Sequence, residues 1–205
     1  DDALRSEMLS EHEIEGMIAA ALREKQFLIY YQPQYSHSSG ALIGAEALVR
    51  WLHPEHGLVP PGKFIPLFEK NGFITRLDFY VFDQVCRYQR KCIDAGIKPV
   101  PISVNLTRYD IYQSDFIDIL ESSRIRYDVP VDLLRIEITE TAVVGDNKQA
   151  SRVIEQLHQK GYVVEMDDFG SGYSSLNVLK DIELDVLKLD MRFLSGEMET
   201  SRSGN

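Results

Sequence analysis

No apolar run in this chain approaches the roughly 20 residues that a membrane-spanning helix needs. The N-terminal stretch DDALRSEMLSEHE has neither the basic start nor the apolar centre of a secretory signal. These two absences predict a soluble, cytoplasmic chain without a membrane span, although a longer polypeptide could be anchored through regions outside it. Cysteine is scarce: Cys86 and Cys92 fall in one helical segment on roughly opposite faces at about 100° per residue, too far apart to bridge. Reduced thiols are the plain expectation. Basic residues are outnumbered, with 22 Lys and Arg against 32 Asp and Glu and a net charge of −10. That balance argues against binding DNA or RNA polymers, which relies on a basic footprint. An anionic ligand is compatible with it where metal ions offset the carboxylates.

Several catalytic signatures are missing as well. There is no GxSxG nucleophile elbow, and the glycines of GSGYSS lack the third glycine of a dinucleotide loop, Ser175 standing in its place. The DFG string has no Gly-rich phosphate loop or strand lysine before it, which sets a kinase aside. His53 and His56 in HPEH are split by a proline without a helical frame, so a surface loop is expected there rather than a zinc site.

What is present suits one domain with a substantial core, since 44% of the 205 residues are hydrophobic. Residues 1–26 read as a helical lead-in from an upstream module, 27–194 as the main domain, and 195–205 as a polar tail. Phe27 to Tyr35 and Leu42 to Trp51 read as strands joined by the turn-rich His37 to Gly40, a hairpin too short for a parallel crossover. His53 to Gly62 reads as a loop, and helices are expected over Phe64 to Lys70 and Leu77 to Ala95, the second ended by Gly96. From there the chain alternates. Strands are expected at Ile102 to Leu106, Leu133 to Thr139, Tyr162 to Asp167 and Val186 to Met191. Between them fall helices at Phe116 to Ile125, Gln149 to Lys160 and Leu176 to Ile182. Six strands with this alternation mean an α/β fold with right-handed βαβ units and a parallel sheet, open or closed into a barrel.

Polar residues interrupt those strands. Parallel strands buried on both faces should read as nearly continuous apolar runs, yet Glu46, Asn105, Glu137, Asp167, and Lys188 with Asp190 stand in five successive ones. Period-two alternation turns each of them away from its apolar neighbours, so in a closed barrel they converge inside. Separate buried ion pairs, such as Lys188 with Asp190 or Arg135 with a neighbour, explain any one of these residues. They do not explain all five strands. The stretch VVEMDDFGSGYSS sets two adjacent carboxylates, Asp167 and Asp168, at the end of an apolar strand, where a cation is the natural counter-charge. Hard oxygen donors of this kind suit magnesium or manganese.

The segments GAEALVRW, SVNLT, RIEITET, EMDDFGSGYSSL and VLKLD, in this order, resemble the EAL-domain cyclic di-GMP phosphodiesterases, from about Tyr31, Gln32 and Pro33 to about Phe193. The resemblance implies a modified TIM-type (β/α) barrel with an antiparallel strand pair at its start and ligand residues around its C-terminal mouth. It implies two Mg2+ or Mn2+ ions, one held by Glu46, Asn105, Glu137 and Asp167 and the other by Asp167 with Asp168. It further implies Lys188 against the attacking water, Gln32, Arg50 and Asp190 as substrate contacts, Asp168 to Ser175 as a flexible loop, and Glu140 as the anchor of that loop. The implied reaction is hydrolysis of cyclic di-GMP to linear pGpG in bacterial signalling. A receptor that binds cyclic di-GMP without cleaving it is the alternative. A glycosidase barrel with paired carboxylates accounts for neither Asn105 nor the Asp167 and Asp168 pair.

In that family two further strands follow, with an EGVE-type glutamate that completes the second metal site and a QGY-type glutamine. This chain ends at Asn205 before either, so only about six of eight strands are expected in it. The expectation is a longer polypeptide, since an unfinished sheet exposes edges; completion by a second chain or a domain swap is the other reading. A homodimer and an upstream sensory or diguanylate cyclase-like domain are further partners that the resemblance implies.

Overall fold

The computed structural model describes residues 11–144, 147–169 and 182–189. Among these, a helix α1 (Glu11–Arg23) leads into β1 (Phe27–Tyr35), β2 (Leu42–His53) and β3 (Gly57–Val59), followed by α2 (Pro61–Lys70) and α3 (Ile74–Asp94). The alternation then runs β4 (Ile102–Leu106), α4 (Arg108–Ile111), α5 (Phe116–Arg126), a 3-10 turn (Val131–Leu133), β5 (Leu134–Thr139), α6 (Glu140–Val144), α7 (Asn147–Lys160), β6 (Val163–Phe169) and β7 (Val186–Leu189). No helix among the described residues is long and apolar enough to cross a membrane.

The strands form one mixed sheet in the order β1-β2-β4-β5-β6-β7, with β3 paired to β2. β1 runs antiparallel to β2, as the short hairpin connection requires, and β2, β4, β5, β6 and β7 run parallel. The sheet does not close among the described residues. The region 53–62, expected to be a loop, contributes β3, because Trp51, Leu52 and His53 find antiparallel partners in Val59, Leu58 and Gly57. Three residues between two turns are too few for an alternating pattern to stand out. Among the described residues the sheet therefore carries a short seventh strand beside the six expected. α2 and α3 start three residues earlier than the apolar spacing suggests, at Pro61 and Ile74. Proline suits the first helical turn because its missing N–H would have no intrahelical partner there. The helix expected over Leu176 to Ile182 and the tail from Ser195 lie outside the described residues, apart from buried Ile182.

α3 ends at the expected glycine, Gly96, and α7 ends at Gly161 in the same way. Gly96 and Gly161 adopt φ of 68° and 90°. There the chain folds back, and the Ile97 and Tyr162 N–H groups donate to the Cys92 and Leu157 carbonyls, each at 3.0 Å. α3 buries Leu77, Val81, Phe82, Val85 and Cys86 along one stripe. Gln89 in the same stripe donates to the carbonyls of Val100 and Leu133 at 2.8 and 2.9 Å, which ties the helix to the entries of β4 and β5. Phe27, Trp51, Phe64 and Phe68 form an aromatic cluster between the first hairpin and α2, with ring centroids 5.4 to 6.0 Å apart.

The two faces of the parallel strands differ in chemistry. Ile102, Val104, Leu106, Leu134, Ile136, Ile138, Val164 and Met166 share the outer face, and all are buried. The residues between them, Ser103, Asn105, Arg135, Glu137 and Glu165, share the inner face. Hydrophobic stabilisation of the sheet thus comes from its outer side. Ile136, central in β5 and 0% exposed, tests this: Ile136→Ala should destabilise the protein by about 2–5 kcal/mol in urea unfolding with an unchanged m-value.

Candidate active site

The inner-face residues of five strands meet where the parallel register brings them level. Asn105 of β4 pairs with Glu137 of β5, Glu137 with Glu165 of β6, and Thr139 with Asp167. Glu46 enters from β2 beside Ser103. β7 supplies Lys188, whose neighbours Leu187 and Leu189 face the other way, as two-residue alternation requires.

Lys188 is the centre of the cluster. Its Nζ donates to Glu46 Oε2 at 3.2 Å, forms an ion pair with Glu137 Oε2, and lies 4.0 Å from Glu165 Oε2. Asn105 Nδ2 donates to the other Glu46 oxygen at 3.0 Å. On the far side, Ser103 Oγ donates to Glu165 Oε2 at 2.7 Å and Arg135 Nη1 to Glu165 Oε1 at 3.0 Å. The Arg135 pair is the kind of separate buried ion pair the strand pattern allowed. It lies in the same cluster rather than apart from it.

Charge does not balance here. The carboxylates of Glu46, Glu137, Glu165 and Asp167 face only two cations, Lys188 and Arg135, among the described residues. Glu137 is 0% exposed; its Oε1 has no hydrogen-bond partner and its Oε2 meets the Lys188 ammonium. Burial pushes the Glu137 carboxyl up to about 8; Lys188 pulls the other way, and the negative charges of Glu46 and Asp167 add to the rise. Burial draws the Lys188 ammonium down, but Glu137 and Glu46 outweigh it and hold it above the ordinary lysine value. A buried site with surplus negative charge and an unsatisfied carboxylate oxygen has the chemistry of a cation site with hard oxygen donors.

The residues expected at the site are thus brought together unevenly. Glu46, Asn105, Glu137 and Lys188 touch one another, and Asp167 stands close enough to raise Glu137. Asp168 is exposed and has a φ of 56°, at the point where the β6 and β7 register shifts between Met166 and Phe169. A non-glycine residue in this left-handed region is uncommon, although aspartate tolerates it better than most. The twist breaks the alternation that would otherwise have turned Asp168 to the outer face. Gln32 lies opposite Glu46 across the hairpin, and Arg50 lies further along β2 with its guanidinium 5.8 Å from the Tyr30 ring centroid. Arg50 donates to the Val49 carbonyl at 2.9 Å and is in no described contact with the cluster. Glu140 is buried where β5 passes into α6. Asp190 lies outside the described residues, as does residue 170 onward in the loop after Asp168. Among the described residues, no three His, Cys, Asp or Glu side chains are already gathered around one metal-sized point; Lys188 stands between the acids. Sequence reasoning missed Glu165 and Ser103. The signal was present in β6, where residue 165 shares a face with Asp167.

The family model described as "EAL domain" matches residues 15–204. The bifunctional diguanylate cyclase/cyclic di-GMP phosphodiesterase MucR of Pseudomonas aeruginosa is 37% identical over 175 residues, covering 85% of this chain and 26% of that protein. The cyclic di-GMP phosphodiesterase NbdA of the same organism is 35% identical over 184 residues, covering 90% of this chain and 24% of that one. The chain therefore spans about a quarter of the length of these curated relatives. The solved PaMucR phosphodiesterase, a c-di-GMP complex, superposes with a TM-score of 0.80 at 36% identity, over 87% of this chain and 72% of that one. The strand order and the antiparallel first pair fit the modified TIM-type barrel expected from the sequence motifs. On the match of the family model over residues 15–204 of this chain, the chain belongs to the EAL domain family.

Proposed function

We propose that this chain is a metal-dependent phosphodiesterase module that hydrolyses cyclic di-GMP to linear pGpG. The observation that carries the reading is the meeting of Glu46, Asn105, Glu137 and Lys188 inside the sheet, with more carboxylate than cation. Its support from relatives is that MucR and NbdA are cyclic di-GMP phosphodiesterases by name. The residues fit divalent ions with oxygen ligands. Glu46, Asn105, Glu137 and Asp167 would hold one Mg2+ or Mn2+, and Asp167 with Asp168 would hold a second. Such ions polarise a phosphodiester and lower the pKa of a bound water.

The chain's own groups then have separable tasks. Lys188 orients the attacking water through its ammonium, whose position the carboxylates around it define. Arg50, with Gln32 and Asp190, contacts the substrate, and an arginine suits a phosphate because its guanidinium donates two parallel hydrogen bonds. Glu140 anchors the loop that begins at Asp168. Residues 27–194 are the part of the barrel domain that this chain carries, and the domain acts in the cytoplasm, as a homodimer and behind a sensory or diguanylate cyclase-like domain of the full protein.

Incubation of the purified protein with cyclic di-GMP and Mg2+ or Mn2+, followed by chromatography, should yield pGpG, and EDTA should abolish it. Binding without product would replace this reading with that of a receptor. Glu46→Ala should lower turnover by more than the roughly 10–100-fold that loss of an outer metal partner costs, with the circular dichroism spectrum unchanged. Undiminished turnover in that variant would move the site elsewhere.

A second prediction concerns Glu137 in metal-free protein. An acid whose folded pKa lies above its unfolded value binds its proton more tightly when folded. Wild-type stability should therefore fall as pH rises from the ordinary carboxylate range through about 8. Glutamine does not titrate in that window. The Tm of Glu137→Gln in EDTA should rise relative to that of the wild type across it, and Tm curves that run parallel, or a variant that falls further behind, would show that Lys188, not burial, governs the group.

A further inference from the structure

Glu165 is a fully buried acid that the proposed reaction leaves without a task. It is 1% exposed and faces inward on β6, one inner-face position before Asp167. Both of its oxygens are held: Ser103 Oγ donates to Oε2 at 2.7 Å and Arg135 Nη1 to Oε1 at 3.0 Å. A carboxylate clamped from two strands cannot swing, so its negative charge is fixed in space. Gly44 lies beside the clamp, and its closest approaches are to Gln34 and the Pro101 carbonyl. A Cβ there would meet Gln34 Oε1 at 2.9 Å, the Pro101 carbonyl at 3.2 Å and Arg135 Nη1 at 3.6 Å. Lys188 Nζ lies 4.0 Å from the Oε2 that Ser103 holds, further than its direct contacts with Glu46 and Glu137. Pairing with Arg135 needs only Oε1, so that ion pair does not account for the placement of Oε2.

We infer that Glu165, held by Ser103 and Arg135, is a positioning residue that fixes the Lys188 ammonium between Glu46 and Glu137. A lysine side chain has four rotatable bonds, and two carboxylate partners leave it free to follow either. A third, immobile charge 4.0 Å away restricts that freedom. Glu165 touches neither substrate nor metal in this scheme. The inference rests on the reading of Lys188 as the group that orients the attacking water, and its test separates the two.

The full protein is compared with Glu165→Gln, Lys188→Met and the double variant, with circular dichroism as a check on folding. Glu165→Gln should lower kcat for cyclic di-GMP about 10-fold or more with KM within about twofold, since only transition-state orientation is lost. In the Lys188→Met background the same change should have no further effect on kcat. Equal losses in both backgrounds, or an unchanged kcat in Glu165→Gln, would overturn the inference. A second readout is independent of turnover. In protein labelled with 15N-lysine, the ammonium signal that disappears in Lys188→Met should be resolved in the wild type and broadened away in Glu165→Gln. A Lys188 signal of equal intensity in both, or absent from both, overturns the positioning role. If the wild type forms no pGpG, the phosphodiesterase reading falls, and the ammonium signal alone decides the role of Glu165.

Discussion

The Lys188 ammonium, set among the carboxylates of Glu46, Glu137 and Glu165, is the constraint from which the rest of the structure follows. Four buried or half-buried acids with two cations among them are unfavourable unless further positive charge or protons arrive. A sheet that keeps such a group on its inner face cannot draw hydrophobic stabilisation from that side. The outer face must supply it, and there Val104, Leu134, Ile136, Val164 and Met166 are each 0% exposed. The long, mainly apolar stripe of α3, interrupted by Asp78 and Gln89, adds to that side. The stabilising and the functional halves of each strand are thus separated by one residue.

That separation makes register decisive. A shift of β5 by one residue would exchange Glu137 for Ile136 or Ile138, placing an acid in the apolar layer and an aliphatic side chain beside Lys188. The polar ties of Gln89 to the carbonyls before β4 and β5 help to prevent it. At the end of β6 the chain does the reverse and gives up regular pairing, so that Asp168 takes a left-handed backbone beside the register shift. Local strain of this kind is tolerated where the surroundings over-determine it. It allows two adjacent acids to depart from the strict alternation of a strand.

Much of this was legible in the residues. The hairpin, the βαβ alternation and the glycine stops at Gly96 and Gly161 rest on local signals that tertiary packing did not override. Polar interruptions at Glu46, Asn105, Glu137 and Lys188 identified inner-face positions because strand facing has a period of two. β3 escaped notice because its pairing partner, not its own three residues, makes it a strand. α4 and α6 were equally short, and α4 owes its start to a box in which Asp110 accepts from the Thr107 N–H and hydroxyl at 2.7 and 2.9 Å. Glu165 was overlooked for another reason: beside the Asp167 and Asp168 pair, a single glutamate in the same strand drew no attention.

The succession of the main strands along the chain, their facing outside the end of β6, and the identity of the acids were determined by the sequence alone, because each depends on periodicity and residue type within a few positions. Which acids meet was decided by the tertiary structure. The choice of Glu165 as partner for both Ser103 and Arg135, and of Lys188 as the cation between Glu46 and Glu137, depends on the stagger of parallel strands 30 to 142 residues apart in the chain. No local pattern encodes that stagger. It is set by how the outer faces pack on their helices, and the charges inside take the positions that packing leaves them.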